Sequence, residues 1–516
     1  MNRLHSIILL LILFSLFYLS TNVFGRKNNI IFTINGRQPK FNHKNVKYDT
    51  SGTLEELPSD DYYEDNDDKR KFIYICGNNG PCTCEKSDEN TVNCIKQKYG
   101  LEDNPLDTTN LRIKMKDFVP YRVHLQHNII NKLEENEIMP GEEEYIVELD
   151  LSYNHIKKIN DDIFLNFKKL KVLKLSHNRI EDIANFKGLQ NLHKLHLDNN
   201  ILGKLPSKVF DSLINLKELV LDGNEAVVLS KKIFTEKLSN LEILSIDYCE
   251  LNSLPKDLFI NLKNLKQLSL RGNPFVSMPV AVNSIPQLSV LDMSETNLPE
   301  FDRNALSEDH ELETLYMQKM KYIYMINDCA FCNLKKIKKV DFSGSAHIYH
   351  INNNAFGNVN NKKNGPTNIT FFDVTNCNIT SISPYLLKWE NIMALRISGN
   401  PLKCDCEMSW LVKNKDLHKT FGDEIPTCEI PSTHEIKHIP DFSTRSCDFN
   451  IDSTVWLRFM IIFLLVSTVT IIWLYFSGIF KCNNDNNIEL PEMGYRNLIA
   501  NDDNSMFVNK GESNEV

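Results

Sequence analysis

Residues 434–438 have the types and spacing of a site for zinc-dependent hydrolysis. His434 and His438 are four positions apart, so a helix would present both imidazoles to one metal ion while Glu435 activates a water molecule. Pro431 and Pro440 lie close on either side, and the third histidine of the longer form of this motif is missing. We therefore interpret the match as accidental, and we predict no metal, no cofactor and no catalytic residue.

The thirteen cysteines are the other chemically distinctive residues. Eight of them form two groups of four that share a C-x-C spacing: Cys76, Cys82, Cys84 and Cys94, then Cys404, Cys406, Cys428 and Cys447. In an oxidising compartment such groups form disulfide bonds, and four cysteines allow three pairings. Zinc binding by the C-x-C groups is the alternative. Cys329 and Cys332 either bridge locally or remain buried thiols.

Two apolar segments indicate the compartment. Residues 7–19 are apolar and lead to a small residue, Gly25, which is the pattern of a cleaved secretory signal at 1–25. Residues 455–479 are long enough to cross about 30 Å of hydrocarbon, which predicts one transmembrane helix. We therefore expect a plasma-membrane protein with an extracellular ectodomain and a short cytoplasmic tail at 480–516.

Between the cysteine groups, the pattern L-x-x-L-x-L-x-x-N recurs, mostly every 22 to 25 residues. After a degenerate first copy that ends at Asn128, copies begin at Ile146, Leu170, Leu192, Leu216, Leu241, Leu265, Leu288, Leu312, Ile337, Ile369 and Ile392. Each copy turns alternate leucines inward from a short strand and cannot bury them alone, so the copies must stack. The asparagine is expected to satisfy backbone groups where the chain leaves the strand. Thr296, Met320 and Ser345 replace it, so copies eight to ten are expected to be less regular.

These repeats resemble the animal extracellular type of the leucine-rich repeat family, in which a phenylalanine-containing segment follows each strand, as at 254–262. The resemblance covers about residues 76–447. It implies an α/β solenoid, a horseshoe with a parallel β-sheet on its concave face, built from about twelve repeats at 119–400. Cysteine-rich caps are expected at 72–118 and 401–450. The pairing that the family implies is Cys76–Cys84, Cys82–Cys94, Cys404–Cys428 and Cys406–Cys447.

Strand residues that alternate with the buried leucines should face the concave surface. The central column of these residues is predicted to be Asp150, Lys174, His196, Val220, Ser245, Ser269, Asp292, Tyr316, Asp341, Asp373 and Arg396. Aromatic side chains beside charged ones are typical of binding hot spots. We therefore predict that a protein ligand contacts the carboxyl-terminal half of this face, at Tyr316, Asp341, Phe371, Asp373 and Arg396. A solvated polar face without a ligand is the alternative.

Two N-glycosylation sequons, at Asn368 and Asn378, border the strand that contains Phe371. Glycans are plausible in the predicted compartment. If both sites carry one, that flank of the concave face is blocked and the prediction for Phe371 is weakened.

Residues 26–71 lack periodicity, and eight acidic residues without a basic one fall between Glu55 and Asp68. This composition predicts a disordered acidic arm. Tyr62 and Tyr63 within it resemble tyrosine sulfation sites that would attract a basic partner. A solubilising spacer is the alternative.

The predicted cytoplasmic tail contains two short signals. Cys482, next to the apolar segment, is a candidate for palmitoylation. Tyr495 and Leu498 have the spacing of a tyrosine-based sorting signal. The tail is too short for a kinase or a Toll/interleukin-receptor signalling module.

Composition and architecture together limit the function. The chain has 58 Lys and Arg against 67 Asp and Glu, and its net charge of −9 argues against nucleic-acid binding. We predict a cell-surface recognition protein that binds an extracellular or cell-surface protein ligand, as an adhesion molecule or as a receptor without its own catalytic signalling domain. Homo- or hetero-oligomerisation with another surface receptor is left open. An innate-immune co-receptor that signals through a partner is the alternative, and a membrane-tethered metalloprotease rests only on residues 434–438.

Overall fold

The computed structural model describes residues 73–76, 80, 82–94, 111–113, 115–133, 138–307, 311–357, 368–444, 447 and 453–477. The predicted signal peptide, acidic arm and cytoplasmic tail lie outside the described residues. The described part of the chain is built mainly from strands of two or three residues, joined by turns and short 3₁₀ helices.

The strands are β1 (Ile73–Tyr74), β2 (Thr83–Glu85), β3 (Thr91–Asn93), β4 (Leu111–Arg112), β5 (Arg122–His124), β6 (Glu148–Asp150), β7 (Lys158–Ile159), β8 (Val172–Lys174), β9 (Asp182–Ile183), β10 (Lys194–His196), β11 (Glu218–Val220), β12 (Ile243–Ser245), β13 (Gln267–Ser269), β14 (Val290–Asp292), β15 (Thr314–Tyr316), β16 (Met325–Ile326), β17 (Lys339–Asp341), β18 (His350–Ile351), β19 (Phe371–Asp373), β20 (Ala394–Arg396), β21 (Thr427–Glu429) and β22 (Ile436–His438). The α-helices are α1 (Ser409–Lys413), α2 (Lys415–His418) and α3 (Ser453–Phe476), and the 3₁₀ helices are Glu143–Tyr145, Glu236–Leu238, Val280–Ser284, Trp389–Asn391 and Ile439–Asp441.

One 14-stranded sheet runs through the repeats, in the order β2-β3-β5-β6-β8-β10-β11-β12-β13-β14-β15-β17-β19-β20. Every pair in it is parallel except β2 with β3. Twelve strands of this sheet lie between β5 and β20 inclusive, and the chain makes eleven successive turns of a solenoid from the first to the last. The predicted leucine-rich repeat fold, with its parallel sheet on the concave face, is thereby confirmed.

The strands pair in register: the central residue of each strand, usually a leucine, lies opposite the central residue of the next. Leu149 pairs with Leu173, Leu173 with Leu195, and the column continues to Leu395. These four leucines are completely buried. The expectation of irregular copies eight to ten is wrong for the sheet, since β14, β15 and β17 keep the same register.

A stack of phenylalanine rings fills the core on the side away from the sheet. Phe186, Phe210 and Phe234 stack with ring centroids 6.3 and 6.4 Å apart, and all three are buried. Phe164 and Phe259 extend the stack at its two ends. Because each ring comes from a different repeat, the burial that stabilises one turn depends on its neighbours.

The repeat asparagines bond to the backbone as expected. Asn154 donates from Nδ2 to the carbonyls of Leu125 and Leu151, both at 2.9 Å. Where cysteine replaces asparagine, the Cys249 thiol donates to the carbonyl of Leu221 at 3.4 Å. The substitution therefore preserves one of the links between turns.

Both ends of the solenoid are closed by disulfide bonds, in the four pairs that the family resemblance implies. The structure joins Cys76 to Cys84, Cys82 to Cys94, Cys404 to Cys428 and Cys406 to Cys447. Cys329 also bridges to Cys332, a question that the sequence left open. In the carboxyl-terminal cap, Trp410 donates from Nε1 to the carbonyl of Ile382 at 2.9 Å, which fastens the cap to the preceding repeats.

The helix α3 is the one described helix that is long and apolar enough to cross a membrane, by length and composition. Its 24 residues extend for about 36 Å at the usual helical rise. The window Leu457–Leu474 has a mean hydropathy of 2.3, and none of it is buried against other parts of the protein.

Candidate ligand-binding face

The five predicted ligand-binding residues lie on the last four strands of the sheet, β15, β17, β19 and β20. In the central column, Tyr316 pairs with Asp341, Asp341 with Asp373, and Asp373 with Arg396. Phe371 lies in the neighbouring column, two residues before Asp373. The parallel register therefore brings together residues that are up to 80 positions apart in the sequence.

Over the amino-terminal two thirds of this face, charged side chains neutralise one another between adjacent turns. The ion pairs include Arg122–Glu148 (3.4 Å), Lys174–Glu148 (3.0 Å), Lys194–Glu218 (2.7 Å), Lys217–Glu242 (3.3 Å), Lys266–Glu242 (2.8 Å), Arg271–Glu295 (2.5 Å) and Lys319–Glu295 (3.2 Å). Each exposed pair contributes at most about 1 kcal/mol to stability. Their common effect is that few charges on this part of the face are free to contact a partner.

Lys339 interrupts this arrangement on β17. Its ammonium nitrogen lies 4.7 Å from the ring centroid of Tyr316 and 4.2 Å from that of Phe371, so it is held between two aromatic faces. Within the described ranges, no carboxylate forms an ion pair with it. Tyr316, Lys339 and Phe371 are each half-buried, and we call these three residues the aromatic–lysine cluster. Lys339 is not among the ligand-binding residues that we predicted from the sequence.

Asp341 occupies the predicted column, but it is not exposed as expected. Only 4% of its surface is accessible. Its Oδ1 accepts hydrogen bonds from the backbone and hydroxyl of Ser343, at 3.0 and 2.7 Å, and its Oδ2 accepts one from Gln318 at 2.9 Å. Because these neighbours from two turns enclose it, Asp341 links adjacent turns of the solenoid and is not displayed to a ligand.

Asp373 and Arg396 are also engaged within the protein. Burial, with the nearby charge of Asp341, raises the pKa of the Asp373 carboxyl, whose Oδ1 accepts a hydrogen bond from the backbone of Thr375 at 2.8 Å. Arg396 donates from Nη1 to the carbonyl of Thr420 at 2.6 Å. This bond ties the last strand of the sheet to the carboxyl-terminal cap.

Two half-buried acids that were not predicted from the sequence lie beside the centre of the sheet. Asp222 and Asp247 occupy the same position in adjacent repeats, and Asp222 accepts a hydrogen bond from the backbone of Asp247 at 2.8 Å. Burial raises the pKa of Asp247 to about 7, although its Oδ1 accepts bonds from Ser269 and the backbone of Arg271. Asp222 lies two residues before the repeat asparagine Asn224, and Asp247 lies two residues before Cys249, which replaces that asparagine. The sequence reveals this recurring position but not the partial burial of the two side chains.

A further feature, on the flank beside the sheet, is a stack of three rings from consecutive repeats. Tyr153 lies between His127 and His177, with ring centroids 4.3 and 4.2 Å apart. All three residues have positive φ angles of 54–59°, at the turn before the repeat asparagine. The sequence signal that could have predicted this stack is a histidine or tyrosine directly before the repeat asparagine in three successive copies.

The apparent zinc motif does not have the geometry that metal-dependent hydrolysis needs. His434 lies in a turn with a φ angle of 58°, whereas His438 ends the strand β22. His434 contacts the carboxylate of Glu429 through Nδ1. The two imidazoles are therefore not on one helix face, and no group of three or more metal-binding side chains occurs among the described residues.

The predicted modification sites are unevenly covered by the structure. Asn368 and Asn378 are both exposed. Tyr62, Tyr63, Cys482, Tyr495 and Leu498 lie outside the described residues. Cys249 and Cys377 are buried free thiols, and burial raises the pKa of each to about 12, so neither is a reactive nucleophile.

Comparison with known proteins agrees with this architecture. The family described as leucine rich repeat matches residues 144–202 and 214–275. Rat osteomodulin is 38% identical over 89 residues, which are 16% of this chain and 20% of osteomodulin. Bovine Toll-like receptor 10 is 38% identical over 93 residues, 18% of this chain and 11% of the receptor. Human lumican is 32% identical over 162 residues, 30% of this chain and 44% of lumican. The chain thus spans about a fifth of the length of osteomodulin and less than half that of lumican.

Two solved structures show a partial likeness in shape. An internalin from Listeria monocytogenes aligns with a TM-score of 0.41 and 17% identity, over 56% of this chain and 77% of that one. The mouse RP105/MD-1 complex aligns with a TM-score of 0.46 and 20% identity, over 65% of this chain and 54% of that one.

Proposed function

The chain belongs to the leucine-rich repeat family, and we propose that it is a cell-surface recognition protein that binds a protein ligand through the concave face of its repeats. In this proposal it acts as an adhesion molecule or as a receptor, anchored in the plasma membrane by α3. The observation that carries the proposal is the aromatic–lysine cluster, which differs in composition from the rest of the concave face.

The five disulfide bonds of the described residues support an extracellular location. Disulfides persist in oxidising compartments and are rare in the cytosol. The bonds at the two ends, such as Cys82–Cys94 and Cys404–Cys428, protect a leucine core that would otherwise be open to solvent. An apolar helix after the second cap, at Ser453–Phe476, suits a single membrane anchor.

The aromatic–lysine cluster supports binding at the carboxyl-terminal part of the face. Tyr316 and Phe371 supply apolar area with little conformational entropy to lose, and aromatic side chains are enriched at hot spots. Lys339 adds a positive charge without a paired carboxylate in the described chain. A ligand carboxylate that reaches Lys339 would gain an ion pair without displacing one already formed. The cluster therefore suits a protein ligand that presents an acidic side chain beside apolar ones.

The test is a binding screen with the full chain displayed on cultured cells, against a panel of purified extracellular and surface proteins. Once a ligand is found, Tyr316→Ala and Lys339→Ala are each expected to weaken binding at least about 10-fold, since hot-spot truncations cost more than about 1.4 kcal/mol. Tyr385→Ala is the matched control, because Tyr385 is 64% exposed outside the concave sheet. Equal affinity in the wild type and both cluster variants, at unchanged surface expression, would refute binding at the cluster.

The same cells separate the two forms of the proposal. Aggregation of cells that express the chain, lost in Tyr316→Ala, would identify an adhesion molecule. Binding of a soluble ligand without aggregation would identify a receptor.

A further inference from the structure

An exposed aromatic patch lies on the flank of the repeats that contain β16 and β18. Tyr322, Tyr324 and Tyr349 are 47%, 52% and 50% exposed. The backbone N–H of Tyr349 donates to the carbonyl of Tyr324 at 2.9 Å, so these two tyrosines are neighbours in adjacent turns. The ring of His347 lies 5.6 Å from that of Tyr324. We call these four residues the tyrosine patch. Exposed apolar surface of this kind often marks a binding site.

Asn378 lies in the next turn, directly beside this patch. Its backbone N–H donates to the carbonyl of Ile348 at 2.9 Å, and Ile348 stands between His347 and Tyr349 in the sequence. Neighbouring extended segments joined in this way lie about 5 Å apart. Asn378 is exposed, while the following Ile379 is buried and fixes the direction of the turn. An attached group at Asn378 would therefore begin within one turn of His347 and Tyr349.

We propose that Asn378 carries an N-linked glycan whose first sugar residues pack on the tyrosine patch. The inference rests on the proposed extracellular location, since the glycan is attached in the secretory pathway. In the attachment, a transferase moves an oligosaccharide from a lipid-linked pyrophosphate: a bond forms between Asn378 Nδ2 and the first sugar carbon, the sugar–phosphate bond breaks, and one amide proton leaves with the phosphate product. The sequon Asn378-Ile379-Thr380 meets the sequence requirement.

The chemistry of the patch suits a sugar. The C–H face of a pyranose can lie flat against an aromatic ring, and the phenolic hydroxyl at the ring edge can exchange hydrogen bonds with sugar hydroxyls. The glycan would cover apolar ring area that is otherwise open to water. It would also leave the concave sheet free, because Asn378 follows β19 and lies on the flank with the patch.

The second sequon provides an internal control. Asn368 lies on the other side of β19, before the strand, and the hydroxyl of Thr370 donates to the carbonyl of Lys338 at 3.4 Å. In the part of the chain that the structure describes, the segment after Asn368 bonds to Lys338, whereas the tyrosine patch lies at residues 322–324 and 347–349. A glycan at Asn368 is therefore not expected to depend on the patch.

The first measurement is the occupancy of both sequons, by peptide mass spectrometry of the full chain purified from cultured animal cells. Surface labelling of the same cells establishes whether the chain reaches the cell surface. A labelled chain without a glycan at Asn378 would overturn the inference while leaving the proposed function intact. A chain that never enters the secretory pathway would overturn both.

The second measurement is a double-mutant cycle, in which the melting temperature of the full chain in detergent is compared among the variants. Removing the glycan by Asn378→Gln, or by Thr380→Val, is expected to lower the melting temperature by about 2 °C when the patch is present. In the background Tyr324→Ala with Tyr349→Ala, the same change is expected to have less than half that effect. Asn368→Gln is expected to shift both backgrounds equally. An equal effect of Asn378→Gln in the two backgrounds, with Asn378 occupied, would overturn packing of the glycan on the patch.

Discussion

The Asn178 side chain donates a hydrogen bond to the backbone carbonyl of Leu151, one turn earlier in the solenoid, at 3.0 Å. Its Nδ2 donates equally to the carbonyl of Leu175 at 3.0 Å, and its Oδ1 accepts from the backbone of Ile156 at 3.1 Å. Asn178 is 7% exposed, so these groups have little access to water. One amide therefore satisfies backbone groups of two turns at once.

Asn178→Ala should consequently destabilise the solenoid strongly. It leaves three backbone groups without a partner in a buried region, and each such group costs about 1–3 kcal/mol, so we expect a loss of about 3 kcal/mol or more. Urea unfolding followed by circular dichroism measures the change. Asn191→Ala is the matched control, because Asn191 makes a similar bond to the carbonyl of Lys168 at an exposed position. Similar losses in the two variants would contradict the assigned role of burial.

Asp247→Asn should stabilise the protein at neutral pH. The pKa of Asp247 is raised from 3.8 to about 7, chiefly by burial, so the folded state favours the protonated carboxyl more than the unfolded state does. The stabilisation from this group is fully present below pH 3.8 and is lost as the pH rises to about 7. The asparagine variant does not ionise, so we expect it to be more stable than the wild type by about 1–4 kcal/mol above pH 7.

The measurement is the free energy of unfolding of both proteins between pH 4 and 8. The difference between them should grow as the pH rises through this window and then level off. Asp211→Asn serves as the control, since Asp211 Oδ1 likewise accepts a hydrogen bond from a hydroxyl group, that of Thr235. A difference between wild type and Asp247→Asn that stays constant with pH would show that ionisation of Asp247 is not its cause.

The fold was predictable from the sequence because its determinants are periodic. Leucines such as Leu149, Leu173 and Leu195 recur at a spacing at which only stacked strands can bury them. In most repeats an asparagine such as Asn154 follows the strand. The burial of Asp341 was not predictable in the same way. Its position in the column follows from the period, but its exposure depends on whether Gln318 of another turn reaches it.

The chemistry of isolated motifs was the least informative part of the sequence. His434 and His438 have the spacing of a zinc site, yet the local structure is a turn and a strand, because the antiparallel pairing of β21 and β22 determines the backbone there. The pairing of Lys339 with two aromatic rings had no local signal either. It arises from the register of β15, β17 and β19, which joins residues from three repeats.

Loss of the cap disulfide Cys404–Cys428 should destabilise the protein more than loss of Cys329–Cys332. The two bonds join cysteines 24 and 3 residues apart. By loop-closure entropy the longer loop corresponds to about 3.5 kcal/mol and the shorter to about 2 kcal/mol. Serine pairs at the two sites, compared by thermal unfolding under non-reducing conditions, measure the difference. A larger loss at Cys329 and Cys332 would indicate that the local bridge has a role beyond closing its own loop.

Phe210→Ala should lower the stability of the protein more than truncation of an exposed apolar side chain does. Phe210 is completely buried between Phe186 and Phe234, and truncation of such a ring costs about 3–5 kcal/mol because a cavity remains. Phe210→Leu keeps part of the volume and should cost less. Ile260→Ala is the control, since Ile260 is 45% exposed and should change stability by less than about 1 kcal/mol.

Because Phe210 touches both neighbouring repeats, hydrogen exchange should increase in the repeats of Phe186 and Phe234 as well as in its own. Increased exchange restricted to the repeat of Phe210 would show that the stack does not couple adjacent turns.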